Sequence, residues 1–220
     1  AIGPITELKS VPSRFAKGLA GKPANLPAEG FRIRTEIQNG QAPVILVVGN
    51  DSRGVLFGVG KLLRSLRMSR DTVELAAPLD ITSAPAMAIR GHQLGFRPKT
   101  NSYDAWNLAQ WEQYIRDLAV FGCNAIELVP PRSDDDADSP HFPLPQLEMM
   151  TGMSRIAEKY GLDVWIWYPA MDTSYATPAA IDAAVKEWGG VLSKLPRVNA
   201  LFVPSGDPGY VSAKELIAML

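Results

Sequence analysis

Residues 162–169, "LDVWIWYP", form a short apolar run between two helical patterns, and this arrangement decides the fold class. Before it, residues 144–161 have apolar residues at helical spacing and end at Gly161. After it, residues 177–195 start a second helical pattern with Pro178 in its first turn. An apolar strand enclosed by two helices is typical of a parallel sheet with helical crossovers.

The same strand–helix unit recurs along residues 85–220, with a repeat of roughly 35 to 40 residues. The other predicted strands lie in "AMAIRGHQLGF", "NAIELVPP" and "VNALFVPSGDPG", at residues 86–96, 124–131 and 198–209. An open doubly wound sheet and a (β/α)8 barrel both fit this order. No glycine-rich phosphate loop follows the first strand, and long loops follow the strands, which favours a barrel with its site at the carboxyl ends of the strands.

A complete barrel needs about 250 residues, more than the chain has after residue 84. We therefore expect residues 85–220 to hold the first four βα units of a TIM-type barrel, with the remainder of the barrel beyond residue 220. Half a barrel leaves edge strands unpaired, so we expect this segment alone to be inactive.

The pattern of residues 1–84 predicts a separate, small α+β domain. Together with the strand–helix units of residues 85–220, this gives α/β as the expected fold class of the chain. Alternation in "FRIRTEIQ" and the apolar run "VILVV" indicate two strands. The stretch "SRGVLFGVGKLLRSLR" indicates a helix with an apolar stripe of Leu56, Val59, Leu62, Leu63 and Leu66. Three glycines in this helix predict close backbone packing against the sheet: Gly54, Gly58 and Gly60. The small-residue stretch "SAPA" marks the domain boundary.

Composition excludes several functional classes. The net charge of −1 and the absence of a basic stripe argue against nucleic-acid binding, and no apolar run is long enough to cross a bilayer. The lone Cys123 excludes an internal disulfide, and two histidines far apart in sequence give no basis for a metal site. We expect no cofactor. The start "AIGPITELKS" has no signal-peptide pattern, so such a segment is absent or already removed, and we expect a secreted or periplasmic protein.

Polar and aromatic side chains at the predicted strands supply the candidate substrate-binding residues. Glu127 interrupts an apolar strand, so it is either paired with Arg90 on the neighbouring strand or hydrogen-bonded to substrate. Trp165 and Trp167 share one face of their strand; we expect Trp165 in the core and leave Trp167 and Tyr168 open as sugar contacts. His92 lies beside Arg90 and is a further candidate.

Two carboxylates follow the third and fourth strands. Asp172 comes after "WIWYPAM" and is either a site residue or part of a surface Asx turn. Asp207 lies in the turn "SGDPG" and is either a turn-former or a catalytic carboxylate. Carboxylates at strand ends beside arginines and aromatic residues are the groups used for glycoside cleavage, in which one carboxyl group protonates the leaving oxygen.

These stretches resemble the front part of family 20 β-N-acetylhexosaminidases and family 67 α-glucuronidases. "VILVVGNDSRGVLFGVGKLLRSL" is similar to the end of their shared N-terminal domain, and "IRGHQLGFR" to the opening barrel strand of family 20. The resemblance implies that Arg97 binds the terminal sugar and that Asp172, in "YPAMD", is a supporting carboxylate. Asp207 matches the Asp of the family 20 Asp-Glu pair, while Pro208 stands where that family has its general acid; "SGDPG" also looks like a shortened form of a family 67 turn.

The resemblance implies an exo-acting glycoside hydrolase, a glycosidase acting on oligosaccharides that contain N-acetylhexosamine or uronic acid. Asp207 and Asp172 are then the catalytic candidates. Pro208 favours an alternative: a non-catalytic carbohydrate-binding relative that has lost the general acid. An α/β domain of unrelated function, whose strand-end carboxylates are turn formers, is the third hypothesis.

Overall fold

The computed structural model describes residues 1–10, 26–37, 42–93, 106–128, 143–205 and 211–220. It is a mixed α/β structure that divides into two compact units. The first unit consists of residues 1–90 and 117–123, and the second of residues 91–116 and 124–220. Among the described residues, no helix is both long and apolar enough to span a bilayer.

The first unit is built on a four-stranded sheet in the order β1-β3-β2-β6. Its strands are β1 (Ile2–Pro4), β2 (Phe31–Glu36), β3 (Val44–Gly49) and β6 (Asp80–Ser83), and a short helical turn of the 3-10 type spans Ile5–Ser10. β1 pairs parallel to β3, whereas β2 pairs antiparallel to both β3 and β6. A two-stranded ribbon of β4 (Leu66–Met68) and β5 (Val73–Leu75) lies outside this sheet.

Helix α1 (Ser52–Ser65) packs on the sheet of the first unit, with Phe57 of the helix against Phe31, Ile33 and Val47 of the strands. Asp51 caps the helix: its carboxylate accepts a hydrogen bond from the Gly54 N–H at 2.8 Å. The predicted apolar stripe is confirmed for Leu56, Val59 and Leu62, which contact this core.

The predicted close packing of the α1 glycines is also confirmed. A Cβ on Gly54 would lie 2.3 Å from the carbonyl oxygen of Gly30, and one on Gly58 would lie 2.7 Å from a methyl group of Val47. For Gly60 the contacted element differs from the prediction: it approaches the backbone of Val120, not a strand of the sheet.

The second unit contains a parallel four-stranded sheet in which the strands follow one another in chain order, β7-β8-β9-β10. They are β7 (Gly91–His92), β8 (Ala125–Leu128), β9 (Asp163–Trp167) and β10 (Ala200–Phe202). The helices α2 (Leu108–Phe121), α3 (Gln146–Lys159) and α4 (Pro178–Leu192) connect consecutive strands, and α5 (Ala213–Met219) follows β10. Gly161 ends α3 with φ +67°, a left-handed conformation that suits glycine.

Candidate functional site

Register sorts the side chains of the second unit onto two faces of its parallel sheet. Glu127 pairs with Trp165, and Trp165 with Ala200, so these residues share one face. Trp167 lies two residues farther along the same face, beside Phe202. We call this set, with Glu127, Trp165, Trp167 and Phe202 as its members, the open face. Trp165 is 37% exposed and Phe202 is 60% exposed.

On β8 and β9 the opposite face is buried. Ile126, Leu128, Val164 and Ile166 are all at most 1% exposed. Helices cover this face, since α3 contacts both β8 and β9. Alternation along β8 and β9 therefore separates a buried, helix-covered face from the open face.

The buried face also holds two of the predicted substrate-binding residues. Tyr168 is fully buried, stacks on Trp188 of α4 at a centroid distance of 4.1 Å and donates a hydrogen bond to Glu187. His92 shares the register position of Ile126, and its Nε2 lies 2.9 Å from the Tyr114 hydroxyl. Burial lowers the pKa of His92. The sheet thus separates both residues from Glu127 and Trp167.

The position of Trp165 contradicts one expectation from the sequence. The sequence predicted it in the core, yet its side chain is on the open face beside Glu127. Alternation correctly grouped it with Trp167, but a periodic pattern does not tell which of two faces the helices cover.

Glu127 is the half-buried carboxylate of the open face. Burial raises the pKa of this carboxyl group, and no described residue forms a hydrogen bond or an ion pair with it. Arg90 instead donates to Glu29 at 2.5 Å, to the carbonyl of Gly122 at 2.9 Å and to that of Met87 at 2.7 Å. The Arg90 guanidinium thus binds partners in the first unit. The structure therefore does not support the first alternative for Glu127, an ion pair with Arg90.

Asp172 lies in a half-buried bend after β9. Hydrogen bonds between backbones continue past the strand end, from Tyr168 N–H to Phe202 and from Ala170 N–H to Pro204, at 2.9 and 3.0 Å. The segment after β10 therefore runs beside the segment that leads to Asp172. Arg97 and Asp207 lie outside the described residues, as does Pro208.

Glu215 anchors the loop that carries Asp172, a contact that the sequence did not predict. Its carboxylate accepts hydrogen bonds from the Ser174 hydroxyl at 2.9 Å and from the Tyr175 N–H at 3.0 Å. Both bonds lower the pKa of Glu215, and the bond from Tyr175 has the larger effect. The pattern Ser212-x-x-Glu215 indicates only a helix start, where the Ser212 hydroxyl does accept from the Glu215 N–H at 3.3 Å.

Within the described parts of the chain, no cluster of three or more His, Cys, Asp or Glu side chains is arranged to hold a metal ion. The lone Cys123 is half-buried, and burial raises the pKa of its thiol.

Solved structures with a similar fold include glycoside hydrolases. A GH20 β-N-acetylglucosaminidase matches 97% of this chain and 56% of its own length, with a TM-score of 0.60 at 16% identity. CpGH84D matches 94% of this chain and 34% of its own, with a TM-score of 0.61 at 13% identity. A GH20 exo-β-N-acetylglucosaminidase from Vibrio harveyi, studied as an inactive mutant, matches 78% of this chain and 35% of its own length, with a TM-score of 0.55 at 14% identity.

The fold is that of part of a GH20 or GH84 glycoside hydrolase. The chain spans from about a third to about half of the length of these structures. Neither a family model nor a curated protein sequence matches it.

The raised pKa of Glu127 predicts the pH dependence of a variant, Glu127→Gln. Below about pH 4 the carboxyl group is protonated in the folded and unfolded states, so the substitution changes the free energy of unfolding little. As the pH rises, the unfolded state loses this proton first, which favours unfolding of the wild-type protein. We expect the stability of the variant, relative to wild type, to increase as the pH rises above about 4 and to become constant once the carboxyl group is ionised in the folded state as well.

Thermal unfolding followed by tryptophan fluorescence measures this change, because all five tryptophans lie in the second unit. Glu112→Gln is the control with the opposite sign. Hydrogen bonds from Lys159 and Tyr160 lower the pKa of Glu112, so its substitution should be destabilising at about pH 8, and this effect should disappear as the pH falls through the lowered pKa of the folded state. An identical pH profile for Glu127→Gln and wild type would contradict the role of burial.

Proposed function

We propose that this chain is part of an exo-acting glycoside hydrolase that binds a sugar on the open face. The observation that carries this proposal is Glu127, a half-buried carboxylate with no partner among the described residues, flanked in the sheet by Trp165 and Trp167. A carboxyl group and aromatic rings on one surface suit a sugar, whose hydroxyl groups need hydrogen bonds and whose C–H faces need apolar contact.

The domain arrangement is part of the same proposal. Residues 1–84 form the N-terminal α+β domain, and residues 85–220 the first four βα units of a TIM-type barrel, whose remaining strands lie beyond residue 220. The parallel sheet with its strands in chain order supports this arrangement, because a barrel adds each new strand beside the previous one. In such a barrel the open face is the interior, and the full-length protein, not this segment alone, is the active form.

The substrate class proposed is an oligosaccharide with a terminal N-acetylhexosamine or uronic acid. GH20 structures described as β-N-acetylglucosaminidases support the first sugar. The second rests on the sequence resemblance to family 67. Asp207 and Asp172 are the proposed catalytic carboxylates, Arg97 the proposed sugar-binding arginine, and a secreted or periplasmic location suits such substrates.

A carbohydrate-binding protein without catalysis is the second candidate. Pro208, which occupies the position of the family 20 general acid, favours it. Both candidates share the sugar site on the open face, so binding tests the site and turnover separates the two functions.

Substitution of Trp167 tests the sugar site in the full-length protein. We expect Trp167→Ala to weaken binding of N-acetylglucosamine or glucuronate by about 5- to 30-fold, since an aromatic anchor in a binding site contributes about 1–2 kcal/mol. Isothermal titration calorimetry measures the affinity. Trp106→Ala is the control, because Trp106 packs against Trp111 and Tyr114 at centroid distances of 5.2 Å, away from the open face.

Aryl N-acetylhexosaminides and aryl glucuronides then serve as turnover substrates. Turnover of either class supports the hydrolase, and binding without turnover supports the non-catalytic relative. No binding of either sugar by the wild-type protein, or equal affinity of wild type and Trp167→Ala, would refute the proposed site.

A further inference from the structure

The first unit has a cavity of about 300 Å³ at the last turn of α1, at the lower end of the size range of small-molecule sites. Its described lining includes the rings of Phe31, Phe57 and Phe121. Three of its side chains are cationic and one is anionic: Lys61, Arg64, Arg90 and Glu29. We call this cavity, with those seven side chains, the cationic pocket.

The one carboxylate in this lining is already bound by arginines. Its Oε2 accepts from Arg90 at 2.5 Å, and its Oε1 accepts from Arg53 at 3.1 Å. Glu29 holds this position with φ +61°, and its N–H donates to the Asp51 carboxylate at 2.8 Å. The Glu29 charge is thus engaged, and it does not neutralise the two cations of α1.

Lys61 and Arg64 carry the positive charge that remains. No described residue accepts a hydrogen bond from the Lys61 ammonium group, although its side chain is half-buried. Arg64 donates through Nε to the Gly60 carbonyl at 3.3 Å, and its guanidinium lies 5.1 Å from the centroid of the Phe121 ring. No described carboxylate pairs with its terminal nitrogens.

The location of these cations has two physical consequences. The carbonyls at the end of a helix favour positive charge there, which suits Arg64 in the last turn of α1. Residues three apart on a helix are neighbours, however, so the two like charges repel each other beside apolar rings. An anion between them would remove the repulsion and supply the missing acceptor.

We propose that the cationic pocket binds a small organic carboxylate, with its carboxylate at Lys61 and Arg64 and its apolar part against Phe57 and Phe121. The three phenylalanine rings favour an organic anion over an inorganic one, because they offer contact area and no hydrogen bonds. This site is independent of the function proposed for the second unit. A sugar uronate and an aromatic acid both have the required chemistry.

Calorimetric titration of the full chain with benzoate, glucuronate, inorganic phosphate and uncharged benzamide tests this site. We expect the wild-type protein to bind benzoate or glucuronate, and to bind benzamide and phosphate at least about 10-fold more weakly. The preferred carboxylate distinguishes the two sources: glucuronate indicates a sugar acid, and benzoate a planar apolar acid. Added salt should weaken binding, since the attraction is between charges.

The double substitution Lys61→Gln with Arg64→Gln is expected to weaken carboxylate binding at least about 10-fold, since it removes two charge-assisted hydrogen bonds. The matched control is Lys186→Gln with Lys214→Gln, which changes the same charge at two exposed lysines and should leave the affinity unaltered. Circular dichroism checks that each variant is folded. Equal affinity of the double variant and wild type, absence of binding to both carboxylates, or tighter binding of phosphate would overturn the proposal.

Discussion

Replacing Gly54 with alanine is expected to lower the free energy of unfolding of the first unit by about 2–4 kcal/mol. The added Cβ would lie 2.3 Å from the Gly30 carbonyl oxygen and 3.2 Å from the Gly49 Cα. Both neighbours are backbone atoms, so no side chain can rotate away, and α1 must move off the sheet. The loss exceeds the gain of about 1 kcal/mol that alanine offers over glycine inside a helix.

Gly190→Ala is the matched control for this prediction. Gly190 also lies inside a helix, α4, but a Cβ there would have no atom within 4 Å. Only the helix propensity changes, so we expect a stabilisation of about 0.5–1 kcal/mol. The same substitution in two helices should therefore have opposite signs.

Amide hydrogen exchange in β2 and β3 measures the effect of Gly54→Ala, because the first unit has no tryptophan. Tryptophan fluorescence reports on the second unit and measures the effect of Gly190→Ala. An unchanged exchange rate in β2 and β3 for Gly54→Ala would contradict the close approach of α1 to the Gly30 backbone.

Replacing Asp207 with asparagine is the functional change with the largest expected effect. If the full-length protein is a glycosidase, we expect turnover to fall at least about 100-fold, the minimum that general acid–base catalysis usually contributes. Asparagine keeps the size and one oxygen of the side chain but has no carboxyl proton to transfer. Asp182→Asn, on the exposed side of α4, is the control and should leave turnover unaltered.

The pattern of loss separates two roles of Asp207. If Asp207 is the general acid, its substitution should lower turnover of both N-acetylhexosaminides and glucuronides. It should also abolish the alkaline limb of the pH–rate profile. As an anchor for an acetamido group, it should affect only the N-acetylhexosaminides, and the rate should retain its pH dependence. Turnover that is unaffected on both substrate classes would show that Asp207 is a turn-forming residue.

Much of the local structure could be predicted from the sequence. Apolar spacing located α1 to α5 and the longer strands, because periods of 3.6 and 2 residues are local properties of a chain. The cap at Ser212 and the turn at Gly161 depend on a few adjacent residues. Long-range contacts were harder to predict. Leu63 was expected on the apolar stripe of α1, but it is 41% exposed. Helical spacing groups apolar residues on one side of a helix but does not show how much of that side the sheet covers.

The candidate site could be predicted only in part. Glu127 could be singled out from the sequence, because a charged residue inside an apolar strand needs an explanation wherever the strand lies. Its neighbours depend on strand register, and a shift of one residue would have placed Trp165 and Trp167 on the other face. Sequence order likewise did not show that Arg90 binds Glu29, a partner 61 residues away.

By itself, then, the sequence determined the alternation of strands and helices, the helix ends and the glycines that need close packing, since these depend on neighbours in the chain. Only the tertiary structure decided which face of β8 and β9 is open, which carboxylate anchors the Asp172 loop and where the cations of α1 meet aromatic rings. Those contacts join residues far apart in sequence, and pairing register and packing bring them together.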